Sequence, residues 1–396
     1  MKILQVMAHS YCHGYAGGGQ KVFFSLGNAF AERGHIVTSI YSDHLEGKPF
    51  FSARDDVNVI NLNINPKGNF HLLWKFLKEI TYQCRKTRFR KFFIEPVQRV
   101  KQHRISKGLK EVLRVESPDI VIAYNIQDLN ALDFAKCEIP ILLMSHSDVN
   151  VIYKNLYFDE LSRINSCKSV QALTPYFSER FSKLLGREVV YIPNIVPQFS
   201  DCEINIRNEK KGRRKRIIMI SRLDRKKQQH MLVESFALLQ DKYPDWDVAI
   251  FGGELTKGYE SHLNNLVENN NLKNRIFVSG ATDQVYDELL NSDIFAFPSI
   301  HEEGFPLALT EAMATGLPCV GINTTQASKF LISDFDAGYL SNNDIDDFAQ
   351  SLEKLMKDDD LRLSKSINAR QAMKQYSMKS ICEQWEVLIK SAVNKK

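Results

Sequence analysis

The chain has 396 residues, of which 44% are apolar and 25% are charged, proportions typical of a soluble globular protein. At about 100–200 residues per domain, this length predicts two or three domains. The sequence has no run of about 18 apolar residues, which argues against a transmembrane helix. The seven cysteines are scattered, and the N-terminus lacks the pattern of a signal peptide. These features exclude a disulfide framework and predict a cytoplasmic protein.

The net charge is only +5, but the segment from His71 to Arg114 carries thirteen Lys or Arg against three acids, a local charge of +10. Aromatic and aliphatic residues are interleaved with these cations. Such a segment can lie on an anionic membrane surface, or it can form helices that pack on a sheet with solvated cations. No RNA- or DNA-binding motif accompanies it, so nucleic acid is not a predicted partner.

Short apolar runs alternate with amphipathic stretches along the chain, which is typical of βα units and parallel sheets. The first series of predicted strands is Ile3–Met7, Ile36–Tyr41, Val57–Leu62, Ile120–Ala123, Ile141–Met144, Ser169–Ala172 and Val189–Ile192. Gln20–Arg33 is a predicted helix that ends at Gly34.

A second series follows a basic polar segment. Its predicted strands are Arg216–Ile220, Asp247–Phe251, Ile276–Val278, Ile294–Phe297, Cys319–Ile322 and Gly338–Leu340. The predicted helices between them are Gln229–Lys242, Tyr259–Asn270, Val285–Asn291, Leu307–Thr315 and Ile345–Met356. The α/β pattern therefore predicts two doubly wound domains, 1–200 and 217–376, joined by a linker at 201–216. An amphipathic helix within 377–396 follows them.

The segment Ser299–Pro318 reads SIHEEGFPLALTEAMATGLP. It places Glu303 before a predicted helix start and Glu311 a little over one turn inside the helix. Pro306 suits the first helical position, and a helix start offers N–H groups to an anion. The N–H groups could hold a phosphate while the carboxylates accept from hydroxyl groups. An ordinary capped helix would explain the two acids alone.

A second pattern, SRLDRKKQ, begins at Ser221 between a predicted strand and a predicted helix. Arg222 and Lys227 are five residues apart on this loop. Two cations there could neutralise a diphosphate, and they could also assist its departure as it gains charge. Solvated surface charges are the alternative.

Three further features follow predicted strands. Gly17–Gly19 stands after the first strand, where Gly18 and Gly19 would let a phosphate or sugar approach the backbone, or would simply form a turn. His146 follows the strand Ile141–Met144, where its imidazole could contact a sugar hydroxyl or position an acceptor. His9 is a weaker candidate of the same kind, and His301 is predicted to lie in a loop near the ligand that Glu303 and Glu311 would bind.

These patterns resemble those of the family 4 retaining glycosyltransferases, also called glycosyl transferases group 1. The resemblance rests on the two glutamates with seven residues between them, the EGFP entry, the EAMA core and the GLP exit. The RL…K element, the Gly-Gly loop, His146 and the IPN segment at Ile192 also resemble that family. The resemblance implies a GT-B fold, two Rossmann-like domains facing across a cleft. It also implies a last helix that crosses back onto the first domain.

By this resemblance the enzyme would transfer a hexose from a UDP- or GDP-sugar to a saccharide or lipid-linked acceptor in bacterial surface-polysaccharide synthesis, with retention and without a metal. The implied catalytic residues are Glu303, His146, Arg222 and Lys227. The implied donor-binding residues are Arg222, Lys227, Glu303, Gly304, Phe305, Pro306, Leu307, Glu311, Gly18 and Gly19.

The sequence departs from the family at Ser221 and Gln228, where glycines are usual, and after Asn323, where Thr324, Thr325 and Gln326 stand. The second departure puts the choice of donor in doubt. Asp245 and Asp247, like Asp334 and Asp336, have Asp-x-Asp spacing, but we interpret both pairs as surface turns and predict no metal site or cofactor. An epimerase or phosphorylase of the same fold, and a non-catalytic partner subunit, remain as alternatives.

Overall fold

The structure, a computed structural model, describes residues 1–14, 17–64, 96–145, 156, 159–200, 214–301 and 303–394, with the backbone alone for 96–99. It divides into two compact units. The first comprises Met1–Ile195 with Met378–Lys396, and the second comprises Val196–Ser377. The first unit ends at Ile195, whereas the sequence predicted its end at residue 200. The Val196 N–H donates to the Tyr376 carbonyl (2.9 Å), and this hydrogen bond attaches the segment after Ile195 to the second unit.

The first unit is built on a parallel sheet in the order β3-β2-β1-β4-β5-β6-β7. Its strands are β1 Lys2–Met7, β2 Ile36–Tyr41, β3 Asn58–Asn61, β4 Ile120–Ala123, β5 Ile141–Ser145, β6 Ser169–Ala172 and β7 Val190–Tyr191. The inner strands are buried on both faces, as expected of a parallel sheet covered by helices.

The described helices of the first unit cover this sheet. They are α1 Gly18–Glu32, α2 Pro96–Glu116, α3 Ile126–Phe134, α4 Glu160–Ser166 and α5 Pro175–Leu185. Helix α2 is the described part of the basic stretch. It buries Ile105 and Leu109 in the core while Arg104, Lys107 and Lys110 are exposed, so here the cations form a solvated helix face. Residues 71–95 of the stretch lie outside the described residues.

The second unit has the sheet order β10-β9-β8-β11-β12-β13, again all parallel. Its strands are β8 Lys215–Ile220, β9 Trp246–Phe251, β10 Ile276–Ser279, β11 Ile294–Phe297, β12 Cys319–Ile322 and β13 Gly338–Ser341. In this order the direction of winding reverses between β8 and β11. The carboxyl ends of strands at such a switch point are where open α/β sheets bind ligands.

Six helices follow in the described part of the second unit, and a seventh, α12, lies in the C-terminal segment that belongs to the first unit. They are α6 Gln229–Ala237, α7 Tyr259–Asn269, α8 Val285–Leu290, α9 Leu307–Ala314, α10 Ile345–Lys357, α11 Asp359–Met373 and α12 Met378–Asn394. A short helical segment, Gln326–Ser328, continues as a π-helical turn, Lys329–Ser333.

Helix α12 packs within the first unit. Glu386 accepts from the Arg33 guanidinium at 2.5 and 3.0 Å, and Trp385 meets the Phe30 ring edge-on at 6.4 Å. The hydrogen bonds from Arg33 and His35 hold the pKa of Glu386 down at about 2. A buried aromatic pair beside a charge-assisted ion pair is a sufficient reason for this helix to dock on the first unit.

Two sequence-based interpretations are wrong. Lys215, assigned to the linker, is the first residue of strand β8; Arg216 was the last linker residue and also the first residue of a predicted strand, and it lies in that strand. Asp247, which begins a predicted strand but was interpreted with Asp245 as a surface turn, lies buried in β9 and accepts from Arg216 at 2.7 and 3.1 Å. This pairing explains the position of Asp247, because the cation neutralises a carboxylate that a strand could not otherwise bury.

Among the described residues, no helix is both long and apolar enough to cross a membrane.

Candidate functional site

The loops after β8 and β11 meet at the switch point of the second sheet. The first loop runs from Ser221 into a 3₁₀ turn, Arg225–Lys227, and the second leads to α9. The Ile300 N–H donates to the Lys226 carbonyl (2.9 Å), which joins the two loops through their backbones. Residues that are far apart in the sequence are therefore brought together at the sheet edge where ligands bind.

The loop after β8 is fixed by its neighbours. The Asp224 side chain accepts from the Lys226 N–H (2.8 Å), which starts the 3₁₀ turn. The Leu223 N–H donates to the Gly253 carbonyl (2.9 Å) on the loop after β9. A Cβ on Gly252 would lie 1.8 Å from the Ser221 carbonyl oxygen, so this close approach requires a glycine. The backbone beside Arg222 is thus held in place from two sides.

Lys227 and Glu303 are in direct contact at the centre of this site, through Nζ and Oε1. Their side chains are 11% and 27% exposed, so the contact is largely shielded from water. The amine also lies 6.0 Å from the centroid of the Phe297 ring. An anion that reaches Lys227 here is therefore bound in a medium where charges interact more strongly than in bulk water.

Burial and the nearby Arg222 guanidinium lower the pKa of Lys227 to about 8, while Asp224 opposes the shift. Contact with the Glu303 carboxylate also favours the charged amine. Partial desolvation, together with Lys227, Lys226 and Arg222, lowers the pKa of His301. The cations of Arg222 and Lys227 and a mostly neutral imidazole are therefore close to one another where the sequence predicted a diphosphate site.

Glu311 lies in α9 and is 5% exposed. The helix begins at Leu307 with Pro306 as its N-cap, one position earlier than the first helical position that the sequence suggested for this proline. Thr310 N–H donates to the Pro306 carbonyl (3.1 Å), which starts the helical ladder. The Phe305 side chain is buried against Tyr376 (5.2 Å between ring centroids), so only its backbone could face a ligand.

The departure from glycine at Ser221 has a local structural explanation. The Gln229 amide donates to Ser221 Oγ and to the Arg222 carbonyl, both at 2.9 Å. Ser221 and Gln229 therefore stabilise the loop together. Gln228 has φ +55°, the left-handed conformation that favours glycine. Thr325 caps the segment after β12 by accepting from the Ser328 N–H at 3.2 Å.

We expect Gln228→Gly to leave the free energy of unfolding nearly unchanged. Glycine removes about 1–2 kcal/mol of strain from the left-handed conformation, but it also increases the conformational entropy of the unfolded chain. Gln228→Val should destabilise the fold by about 2 kcal/mol, since a branched side chain is strained most in this conformation. Urea unfolding of both variants tests this. A valine variant as stable as the wild type would show that the left-handed conformation is not maintained.

The remaining candidates belong to the first unit. Gly18 and Gly19 are the first residues of α1, and a Cβ on Gly19 would meet no atom within 4 Å. His146 lies outside the described residues. His9 Nδ1 is paired with Asp128 at 2.9 Å, a partner that sequence reasoning missed because 119 residues separate the two.

The described residues contain no group of three or more His, Cys, Asp or Glu arranged to hold a metal ion. The cations at the switch point of the second sheet are Lys and Arg side chains. Chemically, the arrangement can bind a diphosphate and accept hydrogen bonds from the hydroxyl groups of the same ligand.

Residues 202–376 match the model of the family described as Glycosyl transferases group 1. An uncharacterized glycosyltransferase of Haemophilus influenzae is 26% identical over 383 residues, 95% of this chain and 97% of that protein. A UDP-Gal:α-D-GlcNAc-diphosphoundecaprenol α-1,3-galactosyltransferase of Escherichia coli is 38% identical over 88 residues, 22% of each chain.

The chain is also similar to the solved structure of S. aureus TarM in complex with UDP and α-GlcNAc-glycerol. The TM-score is 0.70 at 15% sequence identity, over 98% of this chain and 99% of that one. This similarity confirms the predicted GT-B fold, with its two α/β units.

Proposed function

We propose that this chain is a glycosyltransferase, with residues 202–376 as its group 1 domain, and that its donor is a nucleotide sugar bound by the second unit. The observation that carries the proposal is the contact between Lys227 and Glu303 at the switch point, with Arg222 on the same loop. A nucleoside diphosphate sugar is a ligand that needs cations, carboxylates and helix N–H groups together.

In this proposal Arg222 and Lys227 neutralise the diphosphate. The phosphate takes the place of the Glu303 carboxylate on Lys227, and Glu303 turns to the hydroxyl groups of the sugar. The N–H groups of Gly304, Phe305 and Leu307 face the phosphate and sugar, while Glu311 accepts from the ribose hydroxyls. UDP is the favoured nucleotide because the TarM complex contains UDP and the E. coli relative is named for UDP-Gal.

The bond from the anomeric carbon to the diphosphate oxygen breaks as the acceptor oxygen bonds to that carbon. Negative charge grows on the departing diphosphate, and two preorganised cations stabilise it most at that moment. We propose that these cations replace a metal ion, that the departing phosphate oxygen takes the acceptor proton, and that the new bond is α. An NMR measurement of the product's anomeric coupling tests retention, which a β-linked product from an α-linked donor would contradict.

The acceptor in this proposal is a saccharide or a lipid-linked saccharide used in bacterial surface-polysaccharide synthesis. The E. coli relative is named for a diphosphoundecaprenol-linked acceptor. Helix α2 presents Arg104, Lys107, Lys110 and Arg114 as exposed cations at helical spacing, a face that suits the anionic cytoplasmic leaflet. The proposed location is therefore the cytoplasm, at the inner face of the plasma membrane.

Binding of a nucleoside diphosphate should weaken as the pH rises through about 8. The pKa of Lys227 is lowered to about 8, so the amine is charged below that pH and neutral above it. We expect the affinity to be nearly constant from pH 7 to 7.5 and to fall about fivefold between pH 8 and 9, as the protonated fraction of a single group does.

The matched control is Lys227→Arg, because arginine stays charged throughout this range. Calorimetric titration with UDP should show a pH-independent affinity for this variant. An equally steep fall in wild type and variant would assign the pH dependence to another group.

A further inference from the structure

Glu303 lies on a short irregular segment between two fixed points of the second unit. On one side, the Ile300 N–H donates to the Lys226 carbonyl at 2.9 Å. On the other side, the Phe305 ring is buried against Tyr376, with 5.2 Å between the ring centroids. Glu303 itself belongs to neither a helix nor a strand. Its side chain can therefore change direction by rotation about its own bonds while both ends of the segment stay in place.

Lys227 is the partner of this carboxylate. Among the described residues, Glu303 has no other hydrogen bond or ion pair, and Lys227 Nζ contacts its Oε1. Asp224, the acid of the loop after β8, accepts from the Lys226 N–H at 2.8 Å and caps the 3₁₀ turn. The side chains of Lys227 and Glu303 are only 11% and 27% exposed, so salt screens their attraction less than it would at the surface. An anion that binds Lys227 must therefore compete with Glu303.

Two ligands of the proposed donor site differ in what they offer the displaced carboxylate. An intact nucleotide sugar carries hydroxyl groups beside its diphosphate, and these can donate to Glu303 once Lys227 holds a phosphate. A free nucleoside diphosphate has no sugar on that side, so Glu303 would face the phosphate as an unpaired like charge in a shielded site. Glu303 therefore opposes binding of the free diphosphate more than it opposes binding of the intact donor.

We infer that Glu303 distinguishes the intact donor from the spent nucleoside diphosphate by competing for Lys227. While the sugar is present, its hydroxyl groups hold the carboxylate of Glu303 away from the amine. Once the sugar has been transferred, the carboxylate loses these partners, returns to Lys227 and promotes departure of the diphosphate. Only ion pairs and hydrogen bonds are exchanged, and no covalent bond changes in this step. The inference rests on the proposed function and adds to it a mechanism for release of the product.

The test is calorimetric titration of the full chain with UDP, UDP-glucose, UDP-galactose and UDP-N-acetylglucosamine. Glu303→Gln keeps the size of the side chain and an acceptor oxygen but removes the competing charge. We expect its affinity for UDP to rise about tenfold, the effect of losing one charge-assisted contact. The affinity for the nucleotide sugar that the wild type binds most tightly should rise by less than about twofold or should fall, because the sugar loses a charged acceptor.

Glu268→Gln is the matched control. Glu268 also forms an ion pair with a lysine in the second unit, Lys273 at 2.6 Å, but the two side chains are 54% and 66% exposed. Exposed ion pairs contribute little, so both affinities of this variant should stay within about 1.5-fold of wild type. A Glu303→Gln variant that binds UDP no more tightly than the wild type, or that gains equally for UDP and for the nucleotide sugar, would overturn the inference.

Inorganic pyrophosphate separates failure of this inference from failure of the proposed function. It carries the diphosphate charge without a nucleoside or a sugar, so it should bind Glu303→Gln about tenfold more tightly than it binds the wild type. If the wild type binds pyrophosphate but no nucleotide, the proposed donor is wrong, and the pyrophosphate affinities still decide whether Glu303 competes for Lys227. If neither protein binds pyrophosphate or a nucleotide, both proposals fail.

A second measurement needs no ligand. An NMR titration of the full chain with ¹³C-labelled lysines should show a lower pKa for Lys227 in Glu303→Gln than in the wild type, because the carboxylate stabilises the charged amine. The same pKa in both proteins would show that the two side chains do not pair in the free enzyme, which would contradict the inference directly.

Discussion

Lys227→Ala should lower kcat for consumption of the nucleotide sugar by about 10²–10³-fold, the usual cost of removing one preorganised charge-stabilising group. The amine is buried, contacts Glu303 and lies over the Phe297 ring, so its charge acts in a shielded site. Truncation also leaves Arg222 as the remaining one of the two proposed diphosphate cations. Both effects oppose growth of negative charge on the leaving group.

The control for this variant is Lys226→Ala. Lys226 precedes Lys227 on the same 3₁₀ turn, but its side chain is exposed to solvent. Exposed charges contribute little, so we expect less than about a threefold change in kcat. Steady-state release of UDP measures both variants. Equal activity of the two would mean that Lys227 does not contact the diphosphate.

Gly252→Ala should have the largest effect on stability among substitutions near the site. The added Cβ would lie 1.8 Å from the Ser221 carbonyl oxygen and 3.3 Å from the Arg222 Cα, both backbone atoms that cannot simply rotate away. We expect a loss of about 3 kcal/mol, as for severe overpacking. That loss corresponds to a Tm lower by roughly 6–12 °C in a domain of this size.

Because the clash pushes on the loop that carries Arg222, binding of UDP should weaken as well. Gly253→Ala is the matched control, since its Cβ would meet only the Ala281 Cβ, at 4.0 Å. Differential scanning calorimetry should give the control a free energy of unfolding within about 0.5 kcal/mol of the wild-type value. A Gly252→Ala protein with the same Tm as the wild type would show that the loops after β8 and β9 do not approach so closely.

The alternation of apolar runs and helices was sufficient to predict both sheets, because each inner strand is buried on both faces and is therefore almost continuously apolar. Strand limits mostly agree with the structure within one or two residues. Helix α11 was missed, since Leu363 and Ile367 are exposed and its apolar pattern is weak. The local signal for it was Asp358, whose side chain accepts from the Leu361 N–H at 2.8 Å.

The candidate site was predictable only in part. Glu303, Glu311, Arg222 and Lys227 were selected from two short patterns, but nothing local indicates that Lys227 and Glu303, 76 residues apart, are in contact. The local sequence does not indicate that position 252 requires glycine either, because the requirement arises from the close approach of the loop after β8. The pairing of His9 with Asp128 depends on the order of strands in the first sheet, which single-sequence periodicity does not specify.

The most direct test of the donor site is calorimetric titration of the full chain with UDP, GDP and ADP, repeated for Glu311→Gln. We expect one nucleotide, UDP, to bind with a Kd between about 1 µM and 1 mM. The glutamine variant keeps the shape of the buried side chain but loses its charge. Because charge-assisted hydrogen bonds contribute about 1.5–3 kcal/mol, we expect its affinity to fall about 10- to 100-fold. Binding of none of the three nucleotides, or equal affinity in both proteins, would contradict the assignment of the second unit as a nucleotide-sugar site.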